Sequence, residues 1–479
     1  MKQSTMRVKQ WLLCGILLAW GATMSAQKRY SLDELLEYGE QNDRSVAQAQ
    51  AEYDAAKAEQ MLARTYFFPQ IQAMAGWGSV PKPIELFDIN AFSDVPIDLN
   101  QYLPDGITLP DKVPHTVHLN LKPLIPSELQ RLSSLHLNSI WLANFSLVQP
   151  LFTGGKVLAS NQMADLALRL RELQLSRKRV EGQEAIEKAY YQLVQITEQT
   201  KLLKQFSSTL DSLYADVQAL YQEGYAVKSD LLELRLAQNK ALRTIDEAET
   251  MLPLAEAHLA KVCSLPLSER IVPADNTESL AQNAPMQSRS AVDTCDCEGT
   301  NANMRGQMLA IVEQIAVKEQ AVARSEMMPQ LAFFADYMLT NPSFFDASHR
   351  NTGGRFAYGI TLKVPLTGIA SGYYKQLAAS KRAMIRTLER EDNGEMLRLE
   401  RTKAQADWKN ALQNYIRFSS MRKDAAENVR LSREGYREGV TDMAKLLRAH
   451  STGLETEQGY IEALCALYTA NAVLRAANQ

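Results

Sequence analysis

Six histidines, at positions 115, 118, 136, 258, 349 and 450, are the side chains best suited to bind a metal or move a proton near neutral pH. None stands in an HExxH arrangement or another ligand spacing, and His115-Thr-Val-His118 falls in a Pro-rich stretch where a surface position is the plain reading. Cys295-Asp-Cys297 is spaced too closely for an ordinary structural disulfide or a CxxC zinc knuckle, so these thiols read as incidental residues of an exposed linker. The 17 methionines are scattered and do not support a copper or silver relay. Gly353-Gly354 lacks the following helix that a phosphate-binding loop needs. The sequence therefore offers no catalytic constellation, no cofactor site and no metal site, and it reads as something other than an enzyme.

Composition excludes another class. A formal net charge of −3 over 479 residues carries no basic excess, which argues against DNA or RNA as a partner. The N-terminus reads as a secretory signal peptide over 1–26. Lys2, Arg7 and Lys9 precede the apolar run Trp11 to Trp20, and small residues lead to a cleavage site after Ala26. Cys14 lies inside that run behind Leu13, so lipidation is not expected. No other stretch reaches the roughly 18–20 apolar residues of a membrane helix. If the exported chain enters a membrane, it must do so as a β-barrel, because only helices and closed barrels satisfy their backbone in lipid.

The elements that organise the chain are short strands joined to very long helices. Trp141, Ala143, Phe145 and Leu147 alternate with Leu142, Asn144, Ser146 and Val148, which is the period of a strand with unlike faces. After Pro150-Leu-Phe-Thr-Gly-Gly155 a helix is expected over 156–222, ending at Tyr221-Gln-Glu-Gly224. Leu203, Leu210, Leu213, Val217 and Leu220 run along it at coiled-coil spacing. A return helix over 229–262 keeps that spacing through Leu252, Ala255, Leu259 and Val262, with Pro253 expected to kink or break it. Upstream, Ser31 and Glu34 form a capping box that starts a helix expected to run unbroken over 31–66. Pro69 ends it, and Ile71, Ala73, Ala75 and Trp77 open a strand over 68–78. This strand pairs in expectation with one over 140–150, across a long Pro-rich loop at 79–139.

The same order then recurs. Met304 to Met327 is helical, strands follow over 329–340 and 354–366, and helices over 373–438 and 441–474. Pro150 and Pro365 lie 215 residues apart, as do Gly224 and Gly439. Pro69 and Pro329 lie 260 apart, which places 45 additional residues in the first strand-to-strand loop. Two copies of one register indicate a duplication, with a first repeat over 27–263, an irregular connector over 264–303 and a second repeat over 304–479. The fold class is α+β, mostly α: a long antiparallel coiled-coil helical barrel plus four strands. Phe356, Tyr358, Ile360, Leu362 and Val364 suit lipid, while Gly359, Thr361 and Lys363 suit a wet interior. Four such strands cannot close a membrane barrel, which begins at about eight, so several chains must contribute.

This order of elements resembles the TolC family of outer-membrane efflux channels. The junctions Phe68-Pro69-Gln70 and Gln149-Pro150-Leu151-Phe152-Thr153-Gly154-Gly155 and the Tyr-x-x-Gly turns at Tyr221 and Tyr436 carry the resemblance, which covers nearly all of the mature chain. It implies a homotrimer sharing one barrel in outer-membrane lipid and one helical tunnel through the periplasm. It also implies docking on a periplasmic adaptor and an inner-membrane pump, and export of small molecules or proteins.

The family narrows its periplasmic aperture with aspartates six and nine residues after the second turn glycine. Those positions after Gly439 are Lys445 and Arg448, and the matching positions after Gly224 are Asp230 and Glu233. The sign is reversed in the second repeat, so the family's cation preference does not carry over. The expectation is that Lys445 and Arg448 pair with Asp230 and Glu233 of a neighbouring coiled coil and hold the aperture shut. The competing reading is a periplasmic adaptor without a pore, which should carry a single helical hairpin between soluble β-domains.

Overall fold

A computed structural model describes residues 29–79, 84–85, 88–98, 101, 114, 116–127, 130, 134–135, 140–284, 303–341, 352–366 and 368–479. Residues 1–26, the expected signal peptide, with Cys14, and His115, His136, Cys295, Cys297 and His349 lie outside these residues. The fold is α+β and mostly α. Cα packing divides it into two units that each draw on both halves of the sequence: the chain up to Gln60, Gln162–Gln320 and Ala378–Gln479 form one, Met61–Asn161 and Ala321–Leu377 the other.

The first unit is helical. β1 (Arg29–Tyr30) leads to α1 (Leu32–Asn42), whose capping box joins Ser31 and Glu34 as their spacing requires. α2 (Arg44–Thr65) follows, so the expected single helix is two. Asp43 interrupts it with extended backbone (φ −64°, ψ 116°), and its Oδ1 accepts the Ser45 N–H at 2.7 Å, competing with helix continuation. α3 (Lys156–Gln222) is 67 residues long, about 100 Å, and it begins in the other unit. α4 (Lys228–Val262) returns from it without a break. The expected break at Pro253 is overturned, because Pro253 lies on the solvent face, where water can serve the carbonyl left without a donor.

The described part of the connector, 264–284, carries regular elements that its composition does not suggest. β8 (Val272–Pro273) pairs in parallel with β1, and α5 (Thr277–Gln282) is capped by Asn276. After α6 (Met304–Ser325), α7 (Gly368–Arg437, 70 residues) and α8 (Met443–Asn478) complete the helices. Leu210 and Val217 of α3, Leu234 of α4 and Leu446 of α8 are fully buried in one cluster, the two α3 residues where its coiled-coil spacing puts them. Each such leucine contributes about 1.5–3 kcal/mol by leaving water. A second cluster gathers Tyr190, Leu193, Leu259, Leu464 and Leu467.

The second unit holds the main sheet. β2 (Gln70–Gly78), β7 (Ile140–Phe152), β9 (Gln330–Asn341) and β10 (Gly353–Lys363) form one antiparallel sheet in the order β10-β9-β7-β2. In the long first loop, β3 (Ile84–Glu85) pairs with β6 (Ser134–Leu135), and β4 (Val95–Asp98) with β5 (Thr116–Leu119). Among the described residues no helix is long and apolar enough to cross a membrane.

Candidate functional site

Two surfaces have features that a purely structural role does not require. The first is the sheet. In antiparallel pairing, residues directly opposite one another share a face. The register therefore builds one apolar face row by row, as in Ala73–Phe145–Tyr337–Phe356 and Ile71–Leu147–Ala335–Tyr358. The opposite face carries Gln72–Ser146–Asp336–Ala357 and Met74–Asn144–Met338–Arg355. The apolar face is bare: Ile71 and Trp77 are each 74% exposed, and Phe356, Tyr358, Ile360 and Leu362 are 63–70% exposed.

Aromatic side chains border that face at both ends. Trp77 and Trp141 are directly paired at one end, while Phe67, Phe68 and Phe152 are exposed at the other. From Phe68 to Trp77 a strand rises about 30 Å, which a tilt of about 40° reduces to roughly the 25 Å apolar band of membrane barrels. Both outer strands, β2 and β10, end the sheet with unpaired edges, and every residue of β2 is exposed. Long apolar edges of this kind invite pairing with another chain.

The second surface lies at the turns of the two helical hairpins, α3–α4 and α7–α8. Each long helix ends in the same way. Tyr225 N–H bonds the Leu220 carbonyl at 2.8 Å, and Gly224 N–H the Tyr221 carbonyl at 3.1 Å; Val440 to Gly435 and Gly439 to Tyr436 repeat both distances. This double bond pattern needs a left-handed residue after the helix, and Gly224 and Gly439 supply it at φ 85° and 74°. The Tyr-x-x-Gly motif is thus a helix terminator. The two returns differ: Asp442 caps α8 by accepting the Lys445 N–H at 2.8 Å, whereas Val227 gives α4 no side-chain cap.

Of the four predicted aperture residues, Asp230 is half-buried, and Glu233, Lys445 and Arg448 are exposed. Among the described residues no ion pair joins Lys445 or Arg448 to Asp230 or Glu233 within the chain. The partner of Asp230 is instead Tyr436, whose hydroxyl donates to Oδ2 at 3.3 Å. Burial and the neighbouring carboxylate push the Tyr436 phenol up to about 12. Sequence reasoning used Tyr436 as part of the turn and missed this role; its signal was a tyrosine one helical position from the turn opposite an acid in the other repeat. Arg437 stands 3.9 Å from Asp216 with both groups exposed, a pair that contributes little.

His450 is buried one turn beyond Leu446 with Nε2 unbonded, and burial together with Arg433 holds it below its usual range. Tyr225 and Val440 at the turns are 82% and 80% exposed. Farther along α3, Tyr190 is fully buried and donates to Asp275 Oδ2 at 2.8 Å, tying the connector to the helices. Among the described residues no group of three or more His, Cys, Asp or Glu side chains could hold a metal ion.

No protein-family model matches the chain, and no curated protein matches its sequence. Solved structures match at the level of fold. The outer membrane protein VceC from Vibrio cholerae is 11% identical, with a TM-score of 0.70 over 93% of this chain and 95% of its own. CusC, whose structures concern folding and transmembrane channel formation, is 11% identical, with a TM-score of 0.72 over 93% and 91%. The open state of the Neisseria gonorrhoeae MtrE outer membrane channel is 14% identical, with a TM-score of 0.64 over 93% and 88%. With its four-stranded sheet and 67- and 70-residue helices, the chain shares the fold of these outer-membrane channels.

Proposed function

We propose that the chain is the outer-membrane channel of a tripartite efflux or type I secretion system, working as a homotrimer that extends into the periplasm. The observation that carries this reading is the sheet: one bare apolar face, one mixed face that carries the polar and charged residues, and two open edges. Three copies of a four-stranded sheet make twelve strands, above the roughly eight at which membrane barrels begin. The apolar face would meet outer-membrane lipid, and the mixed face with Gln72, Ser146, Asp336 and Arg355 would line the pore. Small molecules or proteins pass through and no bond is made or broken. The two repeats, 27–263 and 304–479, would be products of a duplication joined by the 264–303 connector.

The hairpin turns would form the periplasmic aperture. Lys445 and Arg448 supply positive charge there, and Glu233 is the exposed acid available across a copy boundary, since Asp230 is engaged by Tyr436. Exposed Tyr225 and Val440 at the turns suit contact with a periplasmic adaptor, which links the channel to an inner-membrane pump.

The mass and membrane location of the protein after detergent extraction test the reading. A complex of three chains in the outer-membrane fraction is the expected result. A monomer in the soluble periplasmic fraction overturns it and favours an adaptor without a pore.

A further inference from the structure

Along α8 one line of residues follows alternating spacings of three and four: Met443, Leu446, His450, Gly453, Glu457, Tyr460, Leu464 and Leu467. That is the core line of a coiled coil. Met443 and Leu446 are buried in one apolar cluster, and Tyr460, Leu464 and Leu467 in the other. The three positions between them hold no apolar side chain. In the first hairpin Leu203 and Ile245 stay buried between the same two clusters, so the interruption belongs to the second hairpin.

All three positions lie against α7. A side chain at Gly453 would come within 3.2 Å of Val429 Cγ2, so the helices run close there. Glu457 is paired with Arg422 at 2.6 Å, and Arg422 also lies over the Tyr460 ring. His450 is left without such a partner. It is 6% exposed, its Nε2 is buried with no hydrogen bond, and the charge acting on it is Arg433 of α7.

No carboxylate compensates this pair. Glu427 and Glu434 of α7 are held by Arg430, and Glu457 by Arg422. Leu210, Leu213, Val217, Leu234 and Ala241, which α3 and α4 give to the adjoining cluster, do not titrate. Lys204 and Asp211 of α3 are tied to Glu249 and Gln238. Asp216 and Glu223 share with Arg433 a cleft of about 600 Å³, and His450 is not part of its wall. On α8 itself Lys445 and Arg448 are exposed.

A neutral imidazole tolerates this place and an imidazolium does not. Protonation makes both ring nitrogens donors, sets a second cation beside Arg433 and buries a charge with nothing to pair it. Burial and then Arg433 accordingly hold the group below its ordinary 6.5. A lowered value in the folded state means that this stabilisation is complete above about pH 6.5 and is lost as pH falls through the folded value.

We propose that the stretch from His450 to Glu457 is an acid-sensitive joint in the second hairpin, where protonation of His450 parts α8 from α7 between the two apolar clusters. The joint is a property of the single chain. Its consequence for the aperture, a freer turn at Gly439 in acid, rests on the channel reading.

The test is hydrogen exchange of the full-length protein in detergent, read by mass spectrometry on peptides covering 443–460 and 422–436. Native protein is compared with His450→Gln at each pH, so that the intrinsic pH dependence of exchange cancels. From about pH 7.5 to about pH 5 the native-to-variant ratio of exchange rates should rise several-fold there and stay level over 464–478. Arg433→Gln should shrink the rise and move it to higher pH, because the imidazolium then forms more readily. A histidine that only sets helix register gives a ratio that is the same at every pH, and this result overturns the joint. A change spread evenly along α8 overturns it too. If His450→Gln fails to fold, native protein and Arg433→Gln carry the comparison, and equal midpoints overturn the proposal. Native mass on the same samples tests three-chain assembly separately.

Discussion

The hydroxyl of Tyr436 reaches Asp230 Oδ2 at 3.3 Å across 206 residues of sequence, a side-chain hydrogen bond that joins the two hairpin turns. The tyrosine sits at the end of one long helix, and the aspartate in the first turn of the other hairpin's return helix. Here the helix dipole also favours the negative charge. Separating the hairpins must break this bond.

Tyr436→Phe and Asp230→Asn therefore favour the separated state. Under the channel reading, a net hydrogen-bond contribution of about 0.5–1.5 kcal/mol corresponds to roughly a 2- to 12-fold increase in open population. Conductance in planar bilayers, or uptake of a large antibiotic by cells, measures it. Tyr221→Phe leaves this in-chain bond untouched and serves as the comparison.

The same phenol gives the contact a pH limit. Its proton is held up to about 12 from an ordinary 10.0, because burial and then Asp230 oppose the phenolate. A raised value in the folded state means the stabilisation is complete below about pH 10 and is lost as pH rises through about 12. Conductance should rise over that window in the native protein. In Tyr436→Phe this component of the rise should be missing.

Charge reversal at Lys445 and Arg448 tests the proposed aperture. With both changed to Glu, the channel should conduct more and shift its preference toward cations. Reversal potentials under a salt gradient report the second effect separately from the first. An unchanged conductance and an unchanged reversal potential would remove these residues from the aperture.

The sheet makes an opposite-face prediction. Ile360→Arg places a charge on the apolar face and should cost about 2–4 kcal/mol near the middle of a bilayer. Thr361→Arg, one residue on and facing the other way, should leave assembly close to normal. Heat-resistant oligomer on a gel distinguishes the two.

Much of this was legible in the sequence because periodicity is a local property. The lines Leu203, Leu210, Leu213, Val217 and the row Phe356, Tyr358, Ile360, Leu362 identify a coiled coil and a two-faced strand, and the structure buries the first and exposes the second. The break at Asp43 has only a short signal, Asn42, Asp43 and Ser45 as cap-type residues, set against the Ala- and Gln-rich run after them that favours helix. The connector was missed for a different reason. Its order comes from distant partners: Tyr190 on Asp275, Tyr468 on the Leu280 carbonyl at 2.8 Å, and β1 beside β8. No window of neighbouring residues contains both members of such a pair.

Tyr190→Phe measures what the connector's attachment is worth. Removing the phenolic hydroxyl leaves Asp275 short of a donor beside a buried core, at a cost of about 1–3 kcal/mol. Thermal unfolding should move to lower temperature while conductance in assembled channels stays the same.

The bare edges of β2 and β10 have a genetic consequence under the trimer reading. No copy can complete its own barrel, so each strand at an edge is half of a joint whose other half is made elsewhere. A chain altered only along β10 would still join a normal neighbour through β2, and the ring containing it would fail to close. Such an allele should be dominant, lowering drug tolerance in cells that also make the intact protein, while an allele that prevents the sheet from forming should be recessive.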